Sequence, residues 1–424
     1  MSFIAEKNGV SYSFIKTSRF KTTLISVGFY LPLTKNAAAN ALALRLMKSG
    51  TLLLPDTYSF NRKLASLYGA KVSAWVSKVG DCQELRLGIA VNDDKFSLNG
   101  EQTVTEAANL ICDMIFSRHL SGESYPADAI EREKRLQCEA IAGKINEKRI
   151  FARNRLEEIM CKGEPFGLAT EGSVEETSAL TSDDVNTALK RLINTAFISV
   201  QVVGEKEPDG FYERLTESLE KTSREFKSLN SDVVLPAGEI KRITETMPVK
   251  QGKLVLGFRS DTAGCDRETV ATLVMCDIFG GGPYSKLFCN VREKMSLCYY
   301  CAARAIRRKG LLVVDSGVED SNIDSAEKAI LSQLEDMKNG NFTEKELEFS
   351  KLAICDSVNS VESDQNSLLH WYAARSLEKN PTTPEEMCEL IKNITAEDIK
   401  KAAEKFMLDT VYTLRPDGTK KEEE

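Results

Sequence analysis

Histidine is scarce in this sequence. Only His119 and His370 occur among 424 residues, in the unrelated settings Arg118-His-Leu and Leu369-His-Trp. A helical histidine pair that grips a metal ion cannot be built from them. Long apolar runs are absent too. No stretch reaches 18 residues, which excludes a transmembrane helix, and the first thirty residues alternate apolar and polar without the continuous core of a secretory signal. Surplus positive charge is missing: the formal net charge is −7, which argues against general nucleic-acid binding, where basic surface must neutralise phosphates. Low complexity is confined to the tail at 420–424. Cysteine is plentiful, with eleven residues. They are scattered through a long chain, mostly at apolar positions such as Cys112, Cys276 and Cys388, and read as reduced cytoplasmic thiols rather than a disulfide framework. Cys298 and Cys301 form one Cys-x-x-Cys. Strand side chains three apart point to opposite faces and no second pair exists, so a metal or redox role is not expected.

What is present is the length and apolar content for two cores. Residues 8–16 and 22–31 read as strands, 36–48 and 58–68 as helices, and 71–77 with 83–91 as a hairpin. An amphipathic helix at 103–116 and a long charged helix at 127–155 follow. Thr181-Ser-Asp-Asp184 is a capping box opening a helix to 193, and 195–203 reads as a strand. A helix at 211–226 completes this half, and 227–245 reads as a linker. The order then starts again. A strand at 253–258 carries Leu256-Gly-Phe where the first half has Val27-Gly-Phe, and a helix at 268–279 follows. A hairpin at 296–305 and 311–318 comes next, then helices at 324–337 and 344–376. Thr395-Ala-Glu-Asp398 caps a last helix, before a strand at 410–414. Thr181, Asp184, Ala188 and Gly204 each recur 214 residues later, as Thr395, Asp398, Ala402 and Gly418. A repeat this long predicts two homologous α+β halves, 1–226 and 246–424, joined by the linker. Each half is expected to hold an antiparallel-rich sheet with helices packed on one face.

One stretch stands out: Gly280-Gly-Gly-Pro-Tyr-Ser-Lys-Leu-Phe-Cys-Asn-Val-Arg-Glu-Lys-Met-Ser-Leu-Cys-Tyr-Tyr300. Taken alone it reads first as a hinge, a surface arginine and two core tyrosines. The alternative is functional. Gly280, Gly281 and Gly282 would let a bound chain approach the backbone closely. Arg292, in the last turn of a short helix ending near Ser296, and Tyr299, just beyond it, would aim a guanidinium and a phenol into one cleft. These groups can bind carboxylates, carbonyls or a developing oxyanion.

Together with the repeat, the motif Gly-Gly-Gly-x-x-Ser-Lys-Leu-Phe-x-x-Val-Arg-Glu-Lys-x-Ser-Leu-x-Tyr resembles the pitrilysin/insulinase family of metallopeptidases. Within that family it resembles the mitochondrial-processing-peptidase-like branch and its short YmfF-like bacterial subunits. The resemblance covers essentially the whole chain. It implies two two-half chains closed around a chamber for unfolded peptides. It further implies zinc held in the first half by an inverted His-x-x-Glu-His helix, with a second-half Arg/Tyr pair holding the peptide. Anchored on Ser49-Gly50-Thr51, the family's histidine positions fall on Ala41 and Arg45 and its catalytic glutamate on Leu44. The third ligand falls on Glu139 or Ala140. None of these makes a zinc site. Glu131, Glu133 and Glu139 read instead as a solvated helix face with partners such as Arg135. Arg292 and Tyr299 fall on the family's substrate-binding pair, with Tyr300 an adjacent candidate beside Gly280–Gly282.

The resemblance therefore implies a zinc-free, cytoplasmic, bacterial-type subunit, inactive alone. Its partner would be a homologous His-x-x-Glu-His subunit carrying zinc, and its substrates short or unfolded peptides, with no nucleic acid or membrane involved. The alternative is a non-enzymatic peptide-binding or scaffold homologue, including a homodimer.

Overall fold

The computed structural model describes residues 2–418 except 123, 227, 237, 265, 379 and 380, and only the backbone of residues 2–7. Eleven strands form two mixed sheets among the described residues. The first contains β1 (Ser2–Lys7), β2 (Val10–Lys16), β3 (Thr22–Pro32), β4 (Lys71–Val79), β5 (Cys82–Asn92) and β6 (Phe197–Gly204), in the order β1-β2-β6-β3-β5-β4. The second contains β7 (Lys241–Met247), β8 (Gly252–Arg259), β9 (Cys298–Ile306), β10 (Leu311–Val318) and β11 (Met407–Pro416), in the order β7-β11-β8-β10-β9. Apart from β1 the two orders are identical. Even the one parallel pairing recurs, β2 with β6 and β7 with β11. The sequence repeat is thus a topological repeat, in an α+β architecture rich in antiparallel pairs.

Period-two alternation divides each strand between two faces. On one face of the first sheet, Val27, Phe29, Leu85, Leu87, Val200 and Val202 pack with helices Ala37–Met47, Thr103–Phe116, Ser182–Asn194 and Phe211–Glu220. The repeated capping boxes form in both halves. Thr181 Oγ1 accepts from the Asp184 amide at 3.3 Å and Thr395 Oγ1 from the Asp398 amide at 3.2 Å, while each aspartate accepts from its threonine's amide.

Two long helices expected from the sequence are each broken. The 127–155 stretch is Ala127–Gly143 followed by Lys148–Met160, and 344–376 is Glu344–Ser360 followed by Gln365–Ala373. Each second piece belongs to the compact unit built on the other repeat's sheet. The first unit comprises Met1–Ala142, Leu168–Asn230 and Val361–Pro381, and the second Gly143–Gly167, Ser231–Ser360 and Thr382–Glu424. Burial explains the breaks. Ala152 and Leu156 sit with Val255, Val313 and Tyr412 on the second sheet, and Leu368, Leu369 and Tyr372 with Ile15, Leu24 and Val203 on the first. Each fully buried leucine is worth about 1.5–3 kcal/mol. The expected linker is also shorter at its end, because Lys241–Glu245 already forms the parallel edge strand β7. Edge placement tolerates its exposed, polar composition, and Glu245 accepts from Tyr412 at 2.8 Å and from Arg155 at 2.8 Å.

The face of the first sheet that receives Gln365–Ala373 also holds a buried polar network. Arg86, fully buried, donates to Glu84 at 2.8 Å and to Tyr30 Oη at 2.6 Å, and also bonds Gln201 and, at 3.2 Å, Ser26. Burial pushes the Glu84 carboxyl up, but Arg86, Ser77 and Tyr30 outweigh it and hold it below the ordinary glutamate range.

Candidate functional site

The 280–300 stretch lies wholly in the second unit. Helix Arg267–Gly280 delivers the chain to the glycine loop. Asp277 pins this loop by accepting from Tyr284 Oη at 2.7 Å and Ser350 Oγ at 2.6 Å. Burial raises the Asp277 carboxyl above its ordinary range, and these two donors lower it only in part. Gly280 is needed for packing: an added Cβ would lie 2.7 Å from the Ala303 amide nitrogen of β9. Gly280 therefore seats helix against strand, Gly281 and Gly282 pack against Asp277 and the Tyr284 ring, and none of the three lines the cavity described below.

Leu287–Lys294 winds as a π-helix, a rare form concentrated at functional sites. Leu287 and Val291 are fully buried and Asn290 donates to Gln333 at 2.5 Å, so this face is fixed. The wider winding ends with the Met295 amide donating to Asn290 O at 2.9 Å and the Leu297 amide to Val291 O at 3.1 Å. Ser296 turns the chain at φ +53°, a left-handed conformation costly for a side-chain-bearing residue. Arg292 emerges from the last turn, its guanidinium 4.5 Å from the Phe288 ring centroid and its Nε 3.4 Å from Glu293.

The strand that follows is irregular where it matters. Tyr300 pairs with Gly317 and Cys298 with Val318, leaving Tyr299 as the extra residue of a β-bulge. Bulges re-aim side chains. Tyr299 is 59% exposed and donates to Glu319 Oε1 at 2.9 Å, a bond that raises its phenol above the usual tyrosine range. Arg292, Glu293, Cys298, Tyr299, Glu319 and Asn322 line one open cavity of about 400 Å³, within the size range of ligand sites. The structure thus brings Arg292 and Tyr299 to one cavity. Tyr300 is not among its lining residues: the Arg149 guanidinium lies 4.3 Å from its ring centroid, and its ring edge packs over Gly317. Glu319 was missed from the sequence, and Cys298 was read there only as half of a Cys-x-x-Cys without an expected role. The signal for the bulge that positions them was Gly317, a glycine inside a strand pattern.

The position of the family's metal helix is filled differently. On Ala37–Met47, Ala41 and Leu44 are buried and offer no donor atom. Arg45 Nε lies 3.4 Å from Glu133 on Ala127–Gly143. Glu133, expected on a solvated face, is a largely buried partner of Arg45, its side chain only 12% exposed. Glu139 is exposed and 3.8 Å from Arg135, and Glu131 pairs with Lys134 at 3.0 Å. A methyl, an isobutyl and a guanidinium do not fit zinc, and no group of three His, Cys, Asp or Glu is placed to hold a metal among the described residues. His370 lies against Trp75 at 5.3 Å between ring centroids, and partial desolvation there lowers its imidazole below the usual range. His119 lines a separate cavity of about 330 Å³ beside Asp56, Asp128 and Arg132.

Residues 179–354 match the family model described as Peptidase M16 inactive domain. The "Probable inactive metalloprotease YmfF" of Bacillus subtilis (strain 168) is 29% identical over 420 residues, 98% of this chain and 99% of that protein. The "Uncharacterized zinc protease YmxG" of the same organism is 21% identical over 305 residues, 71% of this chain and 69% of that one. The solved structure of a conserved protein from Enterococcus faecalis V583 superposes with a TM-score of 0.88 at 24% identity, covering 98% of both chains, and shares the fold.

Proposed function

Because the chain belongs to the peptidase M16 family, as an inactive homologue of its zinc proteases, we propose that it is the zinc-free subunit of a heterodimeric peptidase acting on short or unfolded peptides. The observation that carries this reading is a contrast within one chain. Arg292 and Tyr299 meet in one cavity, while Ala41, Leu44 and Arg45 leave nothing to bind zinc or activate water. Arg292 offers a fixed charge and several donors to peptide carbonyls or a terminal carboxylate. Tyr299, exposed on its bulge, exchanges its bond to Glu319 for one to the peptide. Metal and general base reside on a homologous His-x-x-Glu-His partner. That Bacillus subtilis holds both a probable inactive metalloprotease and a zinc protease similar to this chain supports such a pairing. The reading makes the protein bacterial and cytoplasmic, and no described helix is long and apolar enough to cross a membrane.

The test is co-expression with a His-x-x-Glu-His homologue and cleavage of an unstructured fluorogenic peptide. Activity is expected from the complex and not from this chain alone. A stable homodimer that neither binds such a homologue nor supports cleavage would overturn the reading in favour of a scaffold.

A further inference from the structure

The bulge that re-aims Tyr299 also overturns an expectation about its neighbours. Cys298 and Cys301, three apart, belong on opposite faces of a regular strand. Here the extra residue between the Gly317 and Val318 pairings brings them to the same side, with Cys298 opposite Val318 and Cys301 opposite Ser316, two residues apart on β10. Cys298 is half-buried and lines the Arg292/Tyr299 cavity, whereas Cys301 is 6% exposed behind it. Charged and titratable groups facing that cavity are Arg292, Glu293, Tyr299 and Glu319.

We propose that Cys298 is a redox-reactive modification site with Cys301 as its resolving thiol, a dithiol that gates Tyr299. The chemistry is that of an activated thiolate. The Cys298 thiolate attacks a hydroperoxide, the O–O bond breaks, and a sulfenic acid forms as hydroxide or alkoxide leaves. The Cys301 sulfur then displaces water from the sulfenic acid to close a disulfide. Two thiols lose two electrons, and the hydroperoxide is reduced. The neighbouring Cys301 thiol favours the Cys298 thiolate, against burial and with help from the Arg292 charge, so the Cys298 thiol sits below the usual range. The Cys301 thiol is pushed well above it, chiefly by Cys298 beside it and by burial. Tyr299 lies inside the ring such a disulfide would close. Oxidation draws the bulge together and turns the phenol, a consequence that rests on the peptide-binding reading above. The thiol chemistry does not.

The test therefore measures thiols first. The full-length chain is alkylated with limiting iodoacetamide at neutral pH and mapped by mass spectrometry, with exposed Cys289 as internal reference. Cys298 is expected to react about three-fold or more faster than Cys289, and Arg292→Ala to remove part of that advantage. Treatment with hydrogen peroxide is expected to link Cys298 to Cys301 with a loss of two mass units. In Cys301→Ser the sulfenic acid persists and is trapped by dimedone. Because Cys301 is buried, Cys298→Ser provides a second variant: it should abolish both products at a half-exposed position. Equal alkylation of Cys298 and Cys289, or a dimedone adduct in place of the disulfide in the unsubstituted chain, overturns the proposal. If the disulfide forms but peptide binding by the co-expressed complex is unchanged, the thiol site stands and the gating of Tyr299 falls.

Discussion

Replacing Gly280 with alanine tests how the glycine loop supports the site. The added Cβ would lie 2.7 Å from the Ala303 nitrogen and 2.8 Å from both Ala303 Cβ and Leu287 Cδ1. The Leu287 tip can rotate away. The Ala303 backbone cannot, because β9 is held along its length to β10. The nitrogen contact falls about 0.7 Å inside the 3.4 Å at which ordinary contact begins, so helix Arg267–Gly280 or β9 must shift. Overpacking of this kind costs about 1–3 kcal/mol, partly offset by up to about 1 kcal/mol from alanine's better helix propensity. A net loss of about 1–2 kcal/mol is expected, read as a lower urea midpoint by roughly half a molar or more. Gly143→Ala is the control. Gly143 has helical dihedrals and no heavy atom within 4 Å of an added Cβ, so alanine there should raise stability by about 0.5–1 kcal/mol. If Gly280→Ala is as stable as the parent, the close helix–strand contact beneath the site is wrong.

Other expectations follow from the same geometry. Thr181→Ala and Thr395→Ala each remove one side-chain cap from equivalent capping boxes and should each cost about 1 kcal/mol in urea unfolding; strongly unequal losses would contradict their equivalence. Arg86→Ala leaves the Glu84 charge buried without its guanidinium partner and should cost about 3–5 kcal/mol, whereas a loss below 1 kcal/mol would show the network to be slack. Glu84 is held below its ordinary value of 4.5. The stability it contributes is complete above that value and is lost as pH falls through its lower folded value. An acid titration of stability should therefore fall below pH 4.5 in the parent and less steeply in Glu84→Gln.

The repeat was legible because capping boxes and alternating strands are local patterns. Thr181/Asp184 and Thr395/Asp398 announce themselves within four residues, and β10 spans the 311–318 arm of the expected hairpin. The pairing of Arg292 with Tyr299, seven residues apart across one helix-to-strand turn, was legible as one of two readings, and the family motif decided between them. What escaped depends on partners distant in sequence. Glu133 looked like one of several solvated glutamates, and only the packing of Ala127–Gly143 against Ala37–Met47 sets it beside Arg45. The helices at 127–155 and 344–376 looked continuous because their periodicity runs through the breaks, although Gly143 marks one of them. The bulge was hardest. A register shift depends on which residue of β10 faces which of β9, and it undid the opposite-face argument for Cys298 and Cys301.

In the proposed heterodimer this chain supplies Arg292 and Tyr299, and nothing else of the catalytic equipment, to a peptidase completed by another protein. The most direct measurement is kcat/KM of the co-expressed complex on an unstructured peptide, with Arg292→Ala or Tyr299→Phe carried by this chain alone. Each variant should retain the assembled complex and lower kcat/KM by about ten-fold or more, as expected when a bond of about 1.4 kcal/mol or more in the transition state is lost. Unchanged kcat/KM in both intact complexes would contradict the account.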